Sequence, residues 1–102
     1  MLDRLELHEK LCEILGSRNV YFQPPESVKL AYPAIVYSLR GITKFNANNR
    51  GYMLTPSYEM ILIDKNPDSE YVEQLLDLQY SSFDRSYAAD NLNHFVFTIY
   101  NN

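Results

Sequence analysis

Asp84, Arg85, Asp90 and His94 form the densest run of reactive side chains in the sequence, and Asp64 adds a carboxylate of the same kind. Two carboxylates and an imidazole could exchange protons with a substrate or hold a divalent metal, the chemistry of a small metal-dependent hydrolase built on Asp84, Asp90 and His94. Each also has a plainer use. Asp and Asn tolerate left-handed backbone angles, so Asp90-Asn91 suits a tight turn, and Asp84-Arg85 suits an ion pair on a strand surface. The run from Ala89 to His94 sets amides, a carboxylate and an imidazole side by side, which can pin a turn or dock against a neighbouring subunit. Asn91, Asn93 and His94 are therefore candidate contacts. His8 falls in a helical pattern with no partner one turn away and reads as a solvated or boundary residue rather than a ligand. No glycine-rich phosphate loop, HExxH, GxSxG or CxxC occurs, and the chain has only three glycines and one cysteine. Cys12 alone can form neither an intramolecular disulfide nor a Cys-based zinc site. No catalytic residue, cofactor site or metal ligand is assigned, and the expectation is a protein that is not an enzyme.

The elements that must position these residues follow from periodicity. Residues 83–87 alternate Phe83, Arg85 and Tyr87 with polar neighbours. Residues 89–93 break the pattern, and Phe95, Phe97 and Ile99 then alternate with His94, Val96, Thr98 and Tyr100. Two strands joined by a polar turn are predicted, the second apolar enough to need cover on both faces. Upstream, residues 2–15 predict a helix with Leu2, Leu5, Leu11, Cys12, Ile14 and Leu15 inward, ended by Gly16. Residues 19–23 predict a short strand stopped by Pro24-Pro25. Residues 34–40 predict a second strand ended by Gly41, and residues 57–64 a third. Asn66 as N-cap with Pro67 in the first turn predicts a second helix to about Leu78, burying Val72, Leu75 and Leu76. Between the second and third strands, residues 42–56 read as the longest irregular piece. It is either a contact loop or an extended hairpin tip, and Lys44, Phe45, Asn46, Asn49, Arg50 and Tyr52 are its candidate partner contacts.

The order is α-β-β-β-α-β-β. The expected fold is a single α+β domain over residues 1–102, with a mixed, mainly antiparallel sheet of about five strands flanked by two helices. Hydrophobic residues at 46% and charged residues at 22% are those of a globular protein, and nine tyrosines suit interface use. A net charge of −4 with scattered basic residues argues against a nucleic-acid-coating protein. A charged start without a signal-like apolar region, and no run of membrane-spanning length, predict a soluble chain made in a reducing cytosol.

Three blocks taken together resemble small proteins encoded among the head–tail genes of tailed phages and prophages. They are residues 19–25 with 32–37, residues 63–69, and residues 83–85 with 87–94. These proteins look like tail-terminator proteins, also described as tail-completion or minor capsid proteins, and the resemblance spans residues 19–100. It implies a curved sheet flanked by helices and self-assembly into a six-fold ring that caps the tail tube and docks it to the head connector. The role implied is structural, in a virion and made in the bacterial cytoplasm, with DNA passing through the ring unbound. Negative net charge suits such a channel, since like charges avoid adhesion. A monomeric adaptor that binds a partner through residues 42–56 is the remaining alternative.

Overall fold

The computed structural model describes residues 4–46 and 51–100. The elements are α1 (Arg4–Leu15), β1 (Val20–Phe22), β2 (Ala34–Asn46), β3 (Tyr52–Asp64), α2 (Tyr71–Leu76), β4 (Ser81–Ala89) and β5 (Leu92–Tyr100). They form one five-stranded sheet in the order β1-β2-β3-β5-β4. β1 runs parallel to β2 and the other pairs are antiparallel, so the α+β domain with a mixed sheet and two helices is as expected.

Both helices lie on one face. Leu7, Leu11, Cys12 and Leu15 of α1 and Leu75 of α2 close over Ile35, Tyr37, Tyr58, Met60, Leu62, Phe97 and Ile99. The register explains this selection: Tyr37 pairs with Met60 and Met60 with Phe97, so alternate residues of three adjacent strands share one surface. The buried stripe of α1 differs from the expected one. Leu7 is buried and Leu5 is 64% exposed, because the three-and-four spacing that ends on Leu11 and Leu15 starts at Leu7. Gly16 ends the helix with φ at 72°, and its N–H donates to the Cys12 carbonyl.

The largest departure lies in residues 42–56. Gly41 does not end β2: the strand bends there through a bulge between Leu39 and Gly41 and continues to Asn46. β3 begins at Tyr52, so most of the expected irregular piece is a ladder from Ile42↔Pro56 to Asn46↔Tyr52. β5 reaches β3 only as far as Ser57, opposite Tyr100. Pro56 has no N–H to offer a further strand, and it stands where the sheet narrows to two strands. The result is a hairpin arm projecting about 16 Å beyond the sheet at roughly 3.3 Å per residue. The described chain is correspondingly long and narrow, 52 × 28 × 23 Å.

α2 is shorter than expected. Asn66 caps a turn rather than the helix: its Oδ1 accepts from the Asp68 N–H at 2.9 Å, and the helix starts at Tyr71. Leu75 is buried, whereas Leu76 is 43% exposed. At the other end, the Ser81 hydroxyl lies 2.9 Å from both the Leu75 and Leu78 carbonyls and shares its one proton between them.

Candidate assembly surfaces

Three regions hold the residues singled out above: the β4–β5 tip, the β2–β3 arm, and the helix-covered core where His8 lies.

The β4–β5 turn is Asp90-Asn91 with φ of 54° and 61°, both left-handed, which matches the right-handed twist of the flanking strands. Asn93 is turned inward. Its amide donates to the Asp64 carbonyl at 3.3 Å and the Lys65 carbonyl at 3.2 Å, tying the tip to the end of β3. His94 stacks on Tyr87 across the ladder, with centroids 4.7 Å apart and planes 10° from parallel. Asp84 pairs with Arg85 at 2.6 Å, as a local ion pair should. A bulge at this point breaks the expected alternation of residues 83–87. Phe83 pairs with Phe97 but Arg85 with Val96, so Phe83 packs edge-on against Phe97 while Tyr87 faces the opposite side with His94. Asp64, buried at the end of β3, caps the Asn66 N–H at 3.1 Å. Among the described residues, no three His, Cys, Asp or Glu side chains come close enough to hold a metal ion.

On the arm, Ile42 and Leu54 are 57% and 46% exposed. The register Ile42↔Pro56 and Lys44↔Leu54 sets Ile42, Lys44, Leu54 and Pro56 on one face. Phe45, Asn46 and Tyr52 hold ladder positions near the tip, with side chains outside the described set, and Asn49 and Arg50 lie outside the described residues. The arm and the β4–β5 tip are not one site: Asn46↔Tyr52 closes the far end of the β3 ladder, whereas Asn93 pairs at its other end with Asp64.

His8 belongs to neither. It is a half-buried residue of α1 with Nδ1 2.8 Å from the Tyr37 hydroxyl, which also accepts weakly from Arg4 at 3.5 Å. Arg4 can only donate to the hydroxyl, whereas the direction of the bond to His8 follows the tautomer of the ring. Burial pushes the His8 pKa down, and the positive charge of Arg18 pushes it further. Burial also raises the Tyr37 pKa. Arg4 lies 4.4 Å over the Phe22 ring, so the network is sealed by an aromatic cluster. A partner from a distant strand is what helical spacing could not reveal.

One surface was missed altogether. Beside α2, an open hollow of roughly 360 Å³ is lined by the apolar Pro67, Val72, Leu76 and Phe95 and by the acidic Asp68 and Glu73. Ser69 also lines it, and its buried hydroxyl has no hydrogen-bond partner among the described residues. The sequence signal for it was the order of charges. Residues 27–58 hold four of the nine Lys and Arg and none of the thirteen Asp and Glu, whereas residues 66–80 hold four carboxylates and no cation.

Among the described residues, no helix is long and apolar enough to cross a membrane. No protein-family model, curated protein or solved structure matches the chain.

Proposed function

We propose that this chain is a structural protein of the head–tail joint of a tailed phage or prophage. It builds a homo-oligomeric ring, six-fold, that caps the tail tube and docks it to the head connector, with DNA passing through the hole. The observation that carries the reading is the β2–β3 arm. A two-stranded ribbon beyond the edge of its sheet has no core of its own, yet this one displays Ile42 and Leu54 at 57% and 46% exposure. Such a ribbon gains stability when another molecule covers it, and an assembling subunit supplies that cover. The blocks that carry the resemblance support the reading from another side. They fall on the joints of the fold: the crossover from β1 into β2, the turn from β3 towards α2, and the β4–β5 hairpin.

The test is light scattering coupled to size-exclusion chromatography over a wide concentration range, followed by negative-stain microscopy. Annular particles with a central hole are expected. A chain that stays monomeric alone and also fails to bind purified tail tubes overturns the reading. A variant with residues 43–55 replaced by a short turn should lose assembly and keep a cooperative thermal transition, because the sheet ladder from Ser57 to Asp64 with β5 does not involve those residues.

A further inference from the structure

We infer that the arm of one copy lies in the α2 hollow of the next. This rests on the self-assembly proposed above, though not on any particular station along the head–tail joint, and it names the two surfaces that meet.

The fit is chemical on each side. The arm presents Ile42 and Leu54 around Lys44 on one face. The hollow is lined by Val72, Leu76 and Phe95 together with Asp68 and Glu73. An apolar stripe with a cation meets an apolar lining that includes two carboxylates, a complementarity that fixes register as well as contact. The wider charge distribution points the same way. The stretch that includes the arm has four cations and no carboxylate, leaving five cations against thirteen carboxylates on the rest of the chain. At low ionic strength that asymmetry steers the basic hairpin of one molecule to the acidic end of another and keeps like ends apart.

The two surfaces are different patches of one chain, so the contact is head-to-tail. Contacts of that kind repeat: they close into a ring where the rotation per subunit permits and otherwise run on as a filament. A second copy is therefore the occupant the hollow fits, and each copy both gives an arm and receives one.

Sedimentation velocity on the full chain, with two complementary charge-reversal variants, tests this. Lys44→Glu alters the arm, and the pair Asp68→Lys with Glu73→Lys alters the hollow. Each variant alone sets like charge against like, and its self-association should weaken about tenfold or more relative to the parent chain. Mixed in equal amounts, the two should recover assembly, because every arm then has an oppositely charged hollow to enter. Thermal unfolding of each variant confirms that it is folded. A parent chain that never self-associates overturns the inference. So does a parent that assembles while both variants assemble equally well, and in that case the ring survives and only the contact is lost. Variants that fail alone and also fail when mixed overturn it too.

Discussion

Tyr37 is 1% exposed, with His8 and Arg4 on its hydroxyl and the rings of Phe22 and Tyr58 beside its own. This geometry gives the domain a pH dependence. The folded pKa of His8 lies below its ordinary value, first through burial and then through Arg18, so around that value the unfolded chain binds more protons than the folded one. Stability is therefore complete above the ordinary histidine value, declines as pH falls through it, and levels off only below the folded value. Thermal midpoints measured at about pH 7.5 and about pH 5.5 should show the lower one reduced, and His8→Gln should shrink the difference. A second side chain with several duties is Ser81, whose hydroxyl serves the Leu75 and Leu78 carbonyls at the end of α2. Ser81→Ala should cost about 1 kcal/mol in chemical denaturation. The His8 role was not legible in sequence because Tyr37 reaches it from a distant strand, and the Ser81 role was not legible because it depends on where α2 ends, which the spacing placed too late. Asp84-Arg85 and Asp90-Asn91 were legible because their partners are chain neighbours.

Turns and bulges decide where the elements of this fold begin and stop. Asn91 has φ of 61°, a conformation that glycine adopts without strain, so Asn91→Gly should raise the thermal midpoint by the equivalent of about 0.5 kcal/mol. The opposite result would show that the asparagine side chain contributes more than its backbone strain costs. Strand existence and order were readable from alternation, as at Phe95, Phe97 and Ile99. Strand limits were not. Gly41 and Pro56 look like breakers, and both do mark a change in the sheet, but the change is a bend and a narrowing rather than an end. A glycine at a bulge and a proline on a strand with one free side satisfy the same local rules as a loop. Asn66-Pro67 misled in a similar way, since an Asx turn and a helix N-cap use the same side-chain bond.

At the scale of the molecule, one apolar layer between the helices and the sheet carries stability. Phe97, fully buried at its centre and touching Phe83 edge-on, should cost about 3–5 kcal/mol when cut to alanine, read as a lower denaturation midpoint with unchanged slope. The net charge of −4 was legible at once, but a total cannot show that cations and carboxylates are segregated along the chain. The two sheet edges are guarded differently. β1 is only three residues long and is followed by Pro24-Pro25, while β4 is nine residues long but kinked by its bulge and charged at Asp84 and Arg85. In the arm, finally, the described strand ladder beyond Pro56 is that of β2 with β3 alone. Its length is thus independent of the sheet and works as a ruler. Two residues inserted in each strand lengthen it by about 6.6 Å and leave every side chain on its original face, whereas one residue in each turns the tip over. Insertions of that even kind change the reach of the arm without altering a single residue of the core.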